Sequence, residues 1–138
     1  MIGVCCPDAA NDASNLLAEA RQALLLQRVL SDPSALTARE ALEMATLGGG
    51  RVLGRDEIGS LAPDMAADFV AFDLNQIGFV GTSTDLVAAL VFCHPVNVNY
   101  SVINGRLVVD RGHLTTIDLP VIMERHNAAS KALINTTS

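Results

Sequence analysis

Tryptophan is absent from the 138-residue sequence, tyrosine occurs once and phenylalanine four times, so aromatics make up 4% of the chain. Any core must therefore be built from Leu, Val, Ile and Ala. Lysine is scarce too: Lys131 is the single one, and 9 basic residues against 15 acidic give a formal net charge of −6. A surface of that sign fits neither nucleic acid nor an anionic membrane, because both are held by cations. No uncharged apolar run reaches the roughly 20 residues of a membrane span, since Arg, Asp, Glu or Gln interrupts every candidate. The opening Met1-Ile2-Gly3-Val4-Cys5-Cys6-Pro7 has no basic n-region and too short an apolar stretch for a secretory signal, so none is expected. Three cysteines, two of them adjacent, do not make a disulfide framework, and a reducing cytoplasm is the expected compartment.

What the sequence has in abundance is apolar side chains, half of all residues. That excludes disorder, and on a chain about one domain long it implies surface that expects to be covered by something else. After a loop-like start, Asp12 or Ser14 is positioned to cap a helix running to about Leu30. Its apolar positions Leu16, Leu17, Ala20, Ala23, Leu24, Leu26 and Leu30 are widened by Leu25 and Val29, so this helix should be covered on more than one face. Ser31-Asp32-Pro33 ends it. Thr37-Ala38-Arg39-Glu40 is a capping box opening a second helix, with Leu42, Met44 and Ala45 as its expected inner face. Gly48-Gly49-Gly50 either stops that helix or is carried through it by close packing; with no preceding strand and no following Gly-Lys-Ser/Thr, it is not a phosphate loop.

After Gly54 the period changes. Residues 58–64 read as a short strand and turn, and 68–74 as a strand. A short helix is expected over 86–92, capped by Thr84 or Asp85. Two strands, 96–103 and 106–109, flank Asn104-Gly105, the strongest short-range hairpin signal because both turn positions need positive φ. Asp110-Arg111-Gly112 is a further turn, and 120–134 closes the chain as a helix. The fold class is α+β.

Residues able to do chemistry are few. His94, beside Cys93, could join Cys5 or Cys6 at a metal, but adjacent ligands rarely reach one tetrahedral centre and the zinc-type C-x-x-C spacing is absent. His113 in a turn, His126 on a helix, and Asp73, Asp110 and Arg111 at strand ends read as solvated or turn residues. Ser14 and Ser60 have no His and acid arranged as a triad. No catalytic or cofactor-binding residue is assigned.

Two blocks carry a resemblance. Ile58-Gly59-Ser60-Leu61-Ala62-Pro63-Asp64 followed by Ala67-Asp68-Phe69-Val70 resembles the I-G-S-L-x-P-G-x-x-A-D-hydrophobic-V signature of the amidohydrolase superfamily. Thr37 to Gly54 resembles that family's T-x-x-E-A-L-x-M-A-T-x-G-G-A-x-x-L-G helix. Residues 11–28, 90–93 and 102–109 are similar to its chlorohydrolase and aminohydrolase branch, which includes triazine hydrolases and 8-oxoguanine deaminase.

The resemblance, from about Gly3 to Leu133, is to the C-terminal third of such enzymes. It implies the last helices of a truncated (β/α)8 metal-dependent hydrolase barrel (residues 1–54), part of a small β-sandwich with a hairpin (55–117), and a C-terminal helix and tail (118–138). In the family one divalent metal, zinc or iron, activates water for hydrolytic deamination or dechlorination of N-heterocycles. The family's His-x-His pair and third metal His have no counterpart here. Its metal-binding Asp falls at Cys6, with Asp8 two positions later; these two are vestigial candidates for a metal, each without partners. At Asp64 the family has Gly, and Asp tolerates the left-handed backbone such a turn needs. The chain alone is therefore expected to need no cofactor and to lack activity, and its uncovered faces to make it a homo-oligomer. The competing reading is a stand-alone, non-catalytic oligomerisation or interaction module.

Overall fold

The computed structural model describes residues 15–93 and 97–136. Helix α1 spans Leu16–Leu30 and is capped by Asn15, whose side-chain oxygen accepts from the N–H groups of Leu17 and Ala18 at 3.1 and 3.2 Å. The cap thus lies later than Asp12 or Ser14, both outside the described residues: Asn15 has the extended backbone a cap requires. Ser31 terminates α1, its N–H bonding to Gln27.

Helix α2 (Ala38–Glu43) opens with the expected capping box, Glu40 N–H donating to Thr37 Oγ1 at 3.2 Å and Thr37 N–H to Glu40 Oε2 at 2.8 Å. The helix then runs unbroken through a π-helical stretch, Met44–Gly48, into α3 (Gly49–Val52). The three glycines do not end it, because the wall beside them is close. A Cβ on Gly50 would stand 3.1 Å from the carbonyl oxygens of Arg55 and Ile58. The inner face is the expected one only in part: Ala45 is buried as expected and is joined by Ala38, Ala41 and Gly48, whereas Leu42 and Met44 are only half-buried. Small residues occupy the contact because α1 and α4 (Leu86–Phe92) press against it. Ala20 and Leu24 of α1, Ala38, Ala41 and Ala45, and Val91 of α4 form the core cluster. Asp85 caps α4 through the N–H of Ala88 at 2.9 Å.

Residues 58–64 are a turn-rich loop rather than a strand. Gly59 and Asp64 have φ of 95° and 65°, which extended pairing does not allow, while Asp64 takes the left-handed conformation its position calls for. The sheet is an antiparallel meander, β1 (Phe69–Ala71), β2 (Tyr100–Ile103), β3 (Arg106–Asp110) and β4 (His113–Leu114), in that spatial order. Asn104 and Gly105 have φ of 49° and 73°, the pair of positive values read from the Asn-Gly signal, and Arg111 and Gly112 repeat the device. Strand β2 begins at Tyr100, later than the expected 96. Asn99 explains the start: its N–H donates to Ala71, its side-chain oxygen accepts from Asp73 N–H at 2.7 Å, and its carbonyl accepts from Gly112 N–H. Helix α5 (Leu119–Thr136) follows, exposed at every residue from 119 to 135. No helix among the described residues is long and apolar enough to cross a membrane.

Candidate functional site

A cleft of about 710 Å³ lies between the α2–α3 helix, the loop at 58–61 and the β1–β2 face. Its shape follows from two glycines. Gly50 lets the loop carbonyls approach the helix, and Gly59 lets the loop fold over it: a Cβ there would meet Thr46 O at 2.9 Å and Leu47 Cα at 3.0 Å. The walls are Leu16, Leu53, Ile58, Leu61, Phe69, Val70 and Val102, and the polar groups are Thr46, Ser60, Asp68 and Ser101. These groups are already engaged in structure or open to water. Thr46 Oγ1 donates to Leu42 O at 2.9 Å, and the Asp68 carboxylate accepts from Asn104 N–H, tying the start of β1 to the hairpin turn. Among the described residues no histidine lines this cleft, so Ser60 has no imidazole there to activate it.

A second hollow of about 680 Å³, between β3–β4 and the start of α5, contains His113 and Asp118. His113 Nδ1 lies 3.0 Å from Arg111 O, which fixes the ring on its own turn. His126 lies exposed on α5, and Cys93 is a free, half-buried thiol at the end of α4. Asp73 and Arg111 hold turn positions: Asp73 Oδ1 accepts from Asn75 N–H at 2.9 Å, and Arg111 sits in the β3–β4 turn. Asp110 pairs across the sheet with Tyr100 and with His113.

Strongly shifted ionisation marks many active sites; here the carboxyls whose ionisation is shifted belong to caps and turns. The Thr37 hydroxyl, and then its N–H, hold the Glu40 carboxyl below the usual range. Asp32 is lowered by the Ser34 hydroxyl and N–H, and Glu57 by a backbone hydrogen bond and by Arg55, whose Nε stands 2.6 Å from it. All three carboxylates are fully exposed.

Among the described residues no group of three or more His, Cys, Asp or Glu could hold a metal ion. A divalent metal that activates water needs three or four such ligands at one point. The described donor set does not fit one, and Cys5, Cys6, Asp8, Ser14 and His94 lie outside the described residues.

Comparison with known proteins adds what the geometry leaves open. A model of the amidohydrolase family matches residues 2–108. An 8-oxoguanine deaminase from Pseudomonas aeruginosa is 42% identical over 126 residues, which are 91% of this chain and 28% of that protein. A 5-methylthioadenosine/S-adenosylhomocysteine deaminase from Pelotomaculum thermopropionicum is 35% identical over 129 residues, 92% of this chain and 30% of its own length. Among solved structures, atrazine chlorohydrolase from Arthrobacter aurescens complexed with zinc superposes with a TM-score of 0.79 at 32% identity, covering 88% of this chain and 27% of that one. This chain therefore spans under a third of the relatives it matches. The match covers both quoted signature blocks, the capped helix and the 58–70 segment, and the chain belongs to the amidohydrolase family.

Proposed function

We propose that the chain serves as the C-terminal portion of a metal-dependent hydrolase acting on carbon–nitrogen or carbon–chlorine bonds of N-heterocycles, and that by itself it is inactive. The observation that carries this reading is the pairing of 42% identity to an 8-oxoguanine deaminase with a described donor set that cannot hold a metal. In this reading α1 to α3 are the last helices of a (β/α)8 barrel, the meander is part of a small β-sandwich, and α5 is the terminal helix. These residues supply packing, and where a hydroxyl meets a carboxylate, as at Thr37–Glu40 and Ser34–Asp32, the pair forms an exposed helix cap or turn. Purified chain supplied with zinc or iron should show no turnover above blank with 8-oxoguanine, guanine or triazine amines. Turnover by the pure chain would overturn the proposal.

A second reading, a stand-alone oligomerisation module, draws on the exposed α5 and on β1, which among the described residues pairs with β2 alone. Self-association through these surfaces is expected in isolation, and a monodisperse monomer by light scattering at high concentration counts against it. An in-frame His-x-His upstream in the source DNA favours the first reading. We propose the cytoplasm as the compartment, because three cysteines, two of them adjacent, make no disulfide framework.

A further inference from the structure

The β2–β3 turn brings together the atoms of a covalent rearrangement that needs only water. Asn104 and Gly105 are its two central residues, both exposed, with φ of 49° and 73°. The strand register pairs Ile103 with Arg106. The ladder bonds that close the turn therefore belong to those two residues, and the peptide plane between Asn104 and Gly105 stands outside the ladder. Nothing lies within 4 Å of where a Gly105 Cβ would be, so that plane has room to rotate.

The rearrangement is attack by the Gly105 nitrogen on the side-chain carbonyl carbon of Asn104. The five-membered ring that results holds ψ of residue 104 at about −120° while its φ stays positive, which are the angles of the first central residue of a type II′ turn. Type II′ is the other two-residue turn whose twist suits a hairpin. Rotating one peptide plane therefore converts the turn that is present into the turn the ring requires, and Asn104 already has the positive φ that most residues avoid. Gly105 moves to negative φ in that change, which glycine accepts as readily as the positive value. No other asparagine in the sequence precedes a glycine. Asn75 and Asn99, also outside helices and strands, precede Gln76 and Tyr100, whose side chains crowd the attacking nitrogen.

We propose that Asn104 is a self-modification site of this chain, and that its modification unties β1 from the hairpin. The Gly105 N–H gives its proton to hydroxide, the nitrogen bonds to Cγ of Asn104, and the bond from Cγ to Nδ2 breaks, Nδ2 leaving as ammonia with a proton from water. Water then opens the ring. Cleavage of the new Cγ–N bond yields aspartate; cleavage of the bond from the main-chain carbonyl carbon yields isoaspartate, with the backbone running through Cβ and Cγ. The product acts on β1 because Asn104 N–H donates to the Asp68 carboxylate at the start of that strand. Among the described residues β1 pairs with β2 alone, so this tie is a large part of what holds it. Isoaspartate lengthens a two-residue turn by one backbone atom, and either product sets a second carboxylate beside Asp68, like charge against like.

The test is ageing of the folded chain in warm, mildly alkaline buffer. Mass spectrometry of its fragments locates each converted amide, and an isoaspartyl methyltransferase with a labelled methyl donor counts isoaspartate. Isoaspartate should accumulate at residue 104 ahead of every other asparagine. Its rate should be slowed by less than about tenfold against a free peptide of residues 101–108, since an exposed loop opens at little cost. In the aged chain the amides of β1 should exchange hydrogen several-fold faster than in fresh chain. Asn104→Gly keeps a residue that accepts positive φ and removes the reacting amide, so its β1 exchange should not change with age. Another asparagine reacting first, or residue 104 reacting only once urea unfolds the chain, overturns the proposal, because the fold then protects the turn. Conversion at residue 104 with β1 exchange unchanged overturns the link to β1, and so does an equal rise in aged Asn104→Gly. None of these outcomes depends on the chain being one portion of a larger hydrolase.

Discussion

Gly59 has a backbone conformation that side chains rarely adopt, and its missing Cβ is what lets the loop touch the π-helical stretch. Gly59→Ala combines that strain with a 2.9 Å approach to Thr46 O, so it should cost about 2–4 kcal/mol in urea unfolding. Gly54 makes the comparison: its φ of 66° is also left-handed, but nothing lies within 4 Å of an added Cβ, and alanine there should cost only about 1 kcal/mol. Equal costs would mean that conformation, and not contact, keeps Gly59. At Gly50 helix preference argues for alanine by about 1 kcal/mol, yet two backbone carbonyls at 3.1 Å stand in the way, so Gly50→Ala should not stabilise. Glu40 gives the pH dependence. Its carboxyl is depressed by Thr37, so its cap contribution is fully present above the ordinary value of 4.5 and is lost as pH falls through the lowered one. Glu40→Gln should flatten the stability profile below pH 4.5 and leave it nearly parallel to the parent above. These residues differ in how far the sequence announces them. Thr37 and Glu40 are three apart and need no other information. The role of Gly59 depends on a helix that passes beside it, and only its match to the family signature singles it out.

Elements with their own local chemistry are the ones that sequence reading places well. The Asn104-Gly105 hairpin, the proline-terminated end of α1, the capped start of α2 and the Asp85 cap of α4 each sit where short-range rules put them. The segment at 58–64 fails as a strand because its alternation is real but its backbone turns left at Gly59 and Asp64. The inner face of α2 is misread in part, at Leu42 and Met44 and not at Ala45, for a different reason. Larger side chains look like better core, but the distance between helices is set by Ala38, Ala41 and Ala45, which admit close approach. Leu24 is the largest side chain completely buried among them, and Leu24→Ala should cost about 3–5 kcal/mol by denaturant titration. Helix α5 is the converse case. Periodicity finds it, yet its residues from 119 to 135 all stay exposed, so packing supports this helix less than the others, and a helix of this length with little packing is marginal in water. Ala129→Pro should lower helical circular dichroism while leaving the melting midpoint of the remainder unchanged; a fall in that midpoint would show that α5 supports the body.

Across the whole molecule the site is less legible than the fold. Among the described residues no three metal donors converge, and what a metal site in this family looks like is carried by relatives more than three times as long. The pure chain, dialysed against zinc and then against buffer, should retain no stoichiometric metal by elemental analysis; one tightly held ion per chain would overturn the reading of Cys6 and Asp8 as vestigial. The exposed apolar faces of α1 and α5 have one more consequence, and it is calorimetric. Heat capacity rises on unfolding because apolar surface becomes wet, and a chain of 138 residues ordinarily gains about 1.7–2.1 kcal/mol/K. Here Val29, Leu30, Ile77, Leu133 and Ile134 are already between 65% and 91% exposed in the folded state. Their wetting is not left to unfolding. At concentrations where the chain is monomeric its heat-capacity increment should therefore fall below that range, giving a stability curve flatter in temperature than its length implies.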